Sequence, residues 1–164
     1  MNLRDSFPSL SLFSDIDWNA VSKEFGPASK VITFPEYLEL KVEEGDCPRH
    51  VLELAYFDSA LMALQEGEFV FPDSPGFHLN PSACYLSFDF DILKMVTDAQ
   101  DGTIAIIERP NVLCVYLDEN GNISFHELSE TELEVLQTLE ENNHPEKTNA
   151  LTSLTEVGLV LHIS

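Results

Sequence analysis

The fold is decided by residues 102–163, which read GTIAIIERPNVLCVYLDENGNISFHELSETELEVLQTLEENNHPEKTNALTSLTEVGLVLHI. Apolar and β-branched runs predict three short strands, at residues 103–108, 112–117 and 122–128. Arg109-Pro110-Asn111 is the first expected turn. The second is 118–121, where Asn120-Gly121 is a strong hairpin signal.

Two helices and a last strand follow these three strands. Ser129 and Glu132 form the S-x-x-E pattern of a capping box, which predicts a helix to about Asn142. Pro145 is expected to open a second helix to Leu154, and residues 159–163 predict a closing strand. This order is typical of a winged-helix-like or peptide-recognition-like module.

The preceding residues predict a helical part joined to this module by a linker. Ser14 can cap a short helix that Gly26-Pro27 ends, residues 30–34 allow a strand, and Pro35 suits a helix start. The strongest helical pattern covers residues 48–65. We therefore expect an α+β protein with an N-terminal helical part (1–65), a linker rich in proline and glycine (66–82) and a C-terminal sheet-and-helix module (83–164), which begins with a strand at 83–90.

Charge argues against nucleic acid as the partner. The chain has a formal net charge of -21, and residues 103–164 hold only Arg109 and Lys147 as basic side chains against eleven carboxylates. Binding to DNA requires Lys and Arg at the phosphates. The same charge disfavours anionic membrane surfaces, and no apolar run is long enough to span a bilayer. A transcriptional regulator that binds DNA stays an alternative, because the helix pair has helix-turn-helix-like spacing.

No pattern of reactive side chains specifies a reaction. His126-Glu127 begins like H-E-x-x-H but Glu130 occupies the place of the second histidine, and Cys47-x-x-His50 has no second ligand pair. Asp89 and Asp91 lack the dense oxygen ligands of a calcium loop. We therefore expect no catalytic residue, metal or cofactor; an enzyme of unknown type is the second alternative. Three unpaired-looking cysteines and the lack of a signal peptide favour a cytoplasmic protein.

Four residues are candidates for contact with a partner: Asp58, Ile104, Ile106 and Glu108. Asp58 lies on the apolar face of the 48–65 helix, where a carboxylate must be hydrogen-bonded or paired. We favour a structural role, in which it caps a neighbouring loop or pairs with a basic residue, over a contact in a binding groove. The other three belong to the expected strand 103–108. That strand is our candidate sheet edge for adding an extended peptide.

Two segments resemble a known bacterial family. Residues 34–61, FPEYLELKVEEGDCPRHVLELAYFDSAL, and residues 78–92, HLNPSACYLSFDFDI, are similar to its helical and strand-entry motifs. The matching residues of the first segment are Phe34, Tyr37, Leu38, Pro48, Val51, Leu54, Ala55, Phe57, Asp58 and Ala60.

The family is a two-domain one, first described as having a DNA-binding N-terminal domain, and its usual helical domain is longer than the N-terminal part found here. It includes the small partner subunit of the methanobactin-type peptide-modifying enzyme. The resemblance implies a non-catalytic adaptor that binds a TIM-barrel iron enzyme, a ribosomally made precursor peptide, or both.

Overall fold

The α+β class is confirmed in a computed structural model of the chain, which describes residues 2–13 and 16–164. The described helices are α1 (Leu3–Ser6), α2 (Pro8–Ser11), α3 (Trp18–Ala28), α4 (Phe34–Glu43), α5 (Arg49–Glu66), α6 (Ile92–Gln100), α7 (Glu130–Glu140) and α8 (Asn149–Glu156). The described strands are β1 (Gly76–Leu79), β2 (Cys84–Phe90), β3 (Glu108–Leu117), β4 (Ile123–Glu127) and β5 (Val160–Ile163).

The strands form two sheets. One has the order β2-β3-β4, and the other pairs β1 with β5 in antiparallel fashion. The chain divides into two compact units that differ from the expected sequential parts: unit 1 contains residues 1–62 and 88–110, and unit 2 contains residues 63–87 and 111–164. Because α5, β2 and β3 each continue from one unit into the other, no single linker separates the units.

Unit 1 is helical and has a core of aromatic rings. Phe34 lies at its centre, with the ring of Phe7 at 4.8 Å and the ring of Phe25 at 5.3 Å between centroids. Phe25 also packs against Tyr37 at 5.4 Å. Contacts of this kind stabilise a core beyond the area that they bury. They hold the short helices α1 and α2 against α3 and α4.

Helices α3 and α4 of unit 1 begin with side-chain caps. Asp17 caps α3 by accepting hydrogen bonds from the amides of Asn19 and Ala20, while the expected cap Ser14 lies outside the described residues. Thr33 and Glu36 form a capping box at the start of α4. The expected strand at residues 30–34 is therefore wrong: this apolar run is a turn that leads into the capped helix.

Three carboxylates of unit 1 form hydrogen bonds or ion pairs within the fold. Glu53 of α5 is buried and accepts hydrogen bonds from the amides of Asp89 and Phe90 at the end of β2. Asp91 caps α6 and lies 2.7 Å from Arg109 Nε. Asp89 pairs with Arg49 at 2.7 Å. Each member of the Asp89/Asp91 pair thus faces an arginine.

In unit 2, helices α7 and α8 pack against strands around one apolar core. The buried residues of this core are Cys114, Tyr116, Leu128, Val135, Leu136, Leu151, Leu154, Leu159 and Val160. The capping box of Ser129 and Glu132 is confirmed at the start of α7. The second helix begins at Asn149 with Thr148 as its cap, not at Pro145, because the Thr148 hydroxyl accepts a hydrogen bond from the amide of Leu151.

The expected edge strand 103–108 is wrong. Residues 103–107 have no regular structure, and one strand, β3, continues through the expected Arg109-Pro110-Asn111 turn. On the side of β4 the pairing with β3 begins only at Leu113, so Pro110 costs no hydrogen bond to β4. The expected linker region, residues 66–82, contains β1.

None of the helices in the described ranges is long and apolar enough to cross a membrane.

Candidate peptide-binding groove

Strand β5 pairs with β1 in the two-stranded sheet of unit 2. The amide of Asn80 donates to the carbonyl of Leu159 at 2.9 Å, and β1 and β5 pair in register from Leu79 with Val160 to Gly76 with Ile163. In an antiparallel ladder the backbone groups of alternate residues point to the same side. The backbone groups of Leu161 and Ile163 therefore face β1, and those of Val160 and His162 point away from it.

A groove of about 840 Å³ lies beside β5, and all four residues of the strand line it. We call it the β5 groove. Its walls are β5, the β3-β4 turn and the C-terminal end of α8, and its lining includes Phe71, Leu117, Asp118, Glu156, Val160 and His162. Among the described residues, β5 has only β1 as a sheet neighbour. An extended backbone in the groove would meet the outward amide and carbonyl groups of β5.

The turn that forms one wall is held by its own hydrogen bonds. The carboxylate of Asp118 accepts from the amides of Asn120 and Asn122, at 2.8 and 2.9 Å. Gly121 has a φ of +77°, a conformation that suits glycine. These bonds also lower the pKa of Asp118, chiefly through the amide of Asn122, so this carboxylate is ionised at neutral pH.

Asn80 forms the floor of the groove and joins its walls. Its buried side chain donates to the carbonyls of Leu117 and Gly158, each at 2.9 Å. Its Oδ1 accepts from the amide and the hydroxyl of Ser82, at 3.0 and 2.6 Å. The Asn80 side chain thus connects three places: Leu117 at the end of β3, Gly158 between α8 and β5, and Ser82 in the turn after β1. All four hydrogen-bonding positions of the side chain are used.

The groove is acidic. Asp118, Glu119 and Glu156 line it, and unit 2 as a whole contains thirteen Asp and Glu residues against one basic residue, Lys147. The C-terminal end of α8 adds its carbonyl dipoles to the same region. Electrostatics therefore favour a ligand that carries Lys or Arg side chains and disfavour phosphates.

One cluster in unit 2 resembles a catalytic group but lacks the necessary contact. His126 Nε2 lies 3.0 Å from Glu132 Oε1, and the hydroxyl of Ser153 donates to the same oxygen at 3.2 Å. A nucleophilic serine requires a hydrogen bond from its hydroxyl to a base that can accept the proton. Here both groups bond to one carboxylate oxygen, and Glu132 also completes the capping box, so we assign the cluster a structural role.

The sequence candidates lie at separate places in unit 1. Asp58 is 3 % exposed, and its two carboxylate oxygens accept from the amides of Ser9 and Leu10 at 3.1 and 3.0 Å. It therefore caps α2, whose own N-cap residue provides no side-chain bond. Burial raises the pKa of Asp58, and the hydrogen bonds from Ser9 and Leu10 oppose that rise.

Ile104 and Ile106 are exposed and share a second pocket, described below, while Glu108 is the exposed first residue of β3. None of the four candidates lines the β5 groove. Sequence reasoning missed the groove residues Asn80, Asp118, Val160 and His162. A local signal existed for Asn80, since Asn80-Pro81-Ser82 has the composition of an Asx-turn.

Among described residues, no group of three or more His, Cys, Asp and Glu side chains is arranged to hold a metal ion. The chain matches no protein-family model and no curated protein sequence.

Proposed function

We propose that this protein is a non-catalytic adaptor that binds an extended, basic segment of another polypeptide in the β5 groove. The segment would add to β5 as a further strand. The observation that carries this proposal is that β5, which pairs on one side with β1 and directs the backbone groups of Val160 and His162 away from it, lines an acidic groove. Backbone pairing would supply affinity, and the carboxylates would select basic side chains.

The adaptor would present this peptide to a partner enzyme. By the family resemblance, that enzyme would be a TIM-barrel iron protein, the peptide its ribosomally made precursor, and the compartment the cytoplasm. Three free thiols are compatible with a reducing compartment. DNA is the less favoured partner, because α8, the helix in the recognition position, has no Lys or Arg.

The direct test compares two variants at one position. His162→Pro removes the outward amide hydrogen, whereas His162→Ala retains it; both remove the ring that stacks on Phe77 at 4.6 Å. Neither substitution removes an amide that pairs with β1. The difference between the two variants therefore measures the backbone bond from β5 to the ligand.

The probe is a blocked decapeptide of alternating lysine and valine, followed by NMR titration of the labelled full chain. We expect His162→Pro to weaken binding about tenfold relative to His162→Ala, the effect of one lost hydrogen bond. Methylating alternate backbone nitrogens of the probe should cause a similar loss at unchanged charge. Equal affinity of the two variants, or of the methylated and unmethylated probes, would rule out strand addition at β5.

A further inference from the structure

Unit 1 contains a second pocket, which the proposed function does not use. It has a volume of about 440 Å³ and is lined by residues of α3, α4 and the start of α5 and by the segment between α6 and β3. Its apolar lining includes Phe13, Val21, Leu38, Val51, Ile104 and Ile106. We call it the isoleucine pocket.

Two of the three isoleucines that line this pocket are exposed although they are large and apolar. Ile104 is 56 % exposed and Ile106 is 46 % exposed. Their segment is held at both ends, by the bond from the amide of Thr103 to Asp98 and by the bond from the amide of Asp91 to the carbonyl of Ile107. Anchored apolar side chains beside a pocket are typical of interaction sites.

The polar rim of the pocket is acidic. Asp17, Glu24 and Asp46 contribute carboxylates, and the one Lys or Arg in the lining is Lys41. Lys41 is already neutralised, since its Nζ lies 2.7 Å from Glu24 and 3.1 Å from Glu44. Apolar walls with a rim of excess negative charge complement an apolar group that has positive charges beside it.

From these features we infer that the isoleucine pocket is a docking site for a large apolar side chain of a partner polypeptide flanked by Lys or Arg. The apolar side chain fills the space between Leu38, Val51, Ile104 and Ile106. The flanking cations face Asp17 and Asp46. This site shares no residue with the β5 groove, so the inference does not depend on strand addition. With both sites, the adaptor has two separate recognition surfaces, one on each unit.

The test uses three blocked pentapeptides, titrated by NMR into the labelled full chain: Lys-Lys-Phe-Lys-Lys, Lys-Lys-Ser-Lys-Lys and Glu-Glu-Phe-Glu-Glu. We expect the first to shift amide signals around the isoleucine pocket and to bind at least about tenfold more tightly than either of the others, which lack one of the two features. Equal binding of all three, or shifts confined to other regions, would overturn the assignment.

Variants of residues that line the pocket give a second test of the site. Combined Ile104→Ser and Ile106→Ser substitutions remove exposed groups and should leave the fold intact, yet weaken Lys-Lys-Phe-Lys-Lys about tenfold. Val31→Ser is the matched control, because Val31 is 86 % exposed in unit 1 and does not line the pocket; it should change binding by less than about twofold. His162→Pro should have no effect here.

A small amphiphile could share this chemistry, so octylammonium is titrated in parallel. Saturation of the pocket by octylammonium with no shift from Lys-Lys-Phe-Lys-Lys would overturn the polypeptide assignment. Unchanged affinity of the pentapeptide in the Ile104/Ile106 double variant would overturn the site itself.

Discussion

Removal of the Asn80 side chain tests whether one buried amide holds the β5 groove together. Asn80→Ala removes a hydrogen-bond partner from three backbone groups: the part-buried carbonyls of Leu117 and Gly158 and the buried amide of Ser82. A buried group without a partner costs about 1–3 kcal/mol. Water can reach these groups through the open groove, so we take the lower value for each, which gives a loss of about 3 kcal/mol in the stability of unit 2.

Hydrogen exchange measured by mass spectrometry separates this loss from effects elsewhere. The slowest amides of β1 and β5 should exchange about a hundredfold faster in Asn80→Ala, because each factor of ten corresponds to about 1.4 kcal/mol. Asn143→Ala is the matched control: Asn143 is exposed, and its substitution should leave these amides unchanged. A loss below about 1 kcal/mol in Asn80→Ala would refute the reasoning, since even one unsatisfied buried group should cost that much.

Asn80→Asp sharpens the test, because it keeps the acceptor for Ser82 and replaces the two donors. At neutral pH a carboxylate oxygen would face the carbonyls of Leu117 and Gly158, so we expect a loss at least as large as that of alanine. Protonation restores one donor. The stability of this variant relative to Asn80→Ala should therefore rise as the pH falls, and a pH-independent difference would contradict the assigned contacts.

The remaining predictions concern other buried groups. Asp58→Ala leaves two amides of α2 without their acceptor and should destabilise unit 1 by about 2–4 kcal/mol. The variant should therefore unfold at a lower urea concentration, as followed by the fluorescence of the single tryptophan, Trp18. Cys114 is fully buried, and burial raises its pKa to about 12, so it should react with a thiol reagent only when unit 2 unfolds; alkylation at the rate of Cys47 would contradict this. For Glu132, burial raises the pKa, but its hydrogen bonds with Ser129 and His126 outweigh that effect and lower the pKa below its ordinary value of 4.5. Its stabilising contribution is therefore present above that value and lost as the pH falls through the lowered pKa, and acid titrations of Glu132→Gln should lack this loss.

Local chemistry accounts for the elements that the sequence predicts well. The helix at 48–65 corresponds to α5, and the capping box of Ser129 and Glu132 marks the start of α7. The turn before β4 follows from Gly121, the turn residue with positive φ. In each case the structure that the signal specifies lies within the same residues as the signal.

The wrong strand at 103–108 shows the limit of periodicity. Ile104 and Ile106 are two positions apart, which is the spacing of side chains on one face of a strand. In the structure both side chains line one pocket, on a segment without regular secondary structure. Alternation reports an extended backbone; it does not report a hydrogen-bonded partner.

The candidate site was not predictable because it depends on long-range pairing. The β5 groove exists because residues 76–79 pair with residues 160–163, and Asn80 reaches Gly158 across a similar separation. The partner of Asp58 is likewise distant in sequence, at Ser9. Periodicity identifies which residues are buried or extended, but it contains no information on which strands meet.

In the proposed adaptor, negative charge would make the edge of β5 selective. A free strand edge is a hazard, since it can pair with any extended chain, including another copy of the same protein. Here β5 is four residues long, and the adjoining groove displays Asp118, Glu119 and Glu156 on a chain of net charge -21. A second copy would bring the same carboxylates into contact and be repelled, whereas a basic segment would be attracted. In the proposed adaptor, the property that opposes DNA binding therefore also protects the edge from self-association, and high salt should weaken both the selection of basic peptides and this protection.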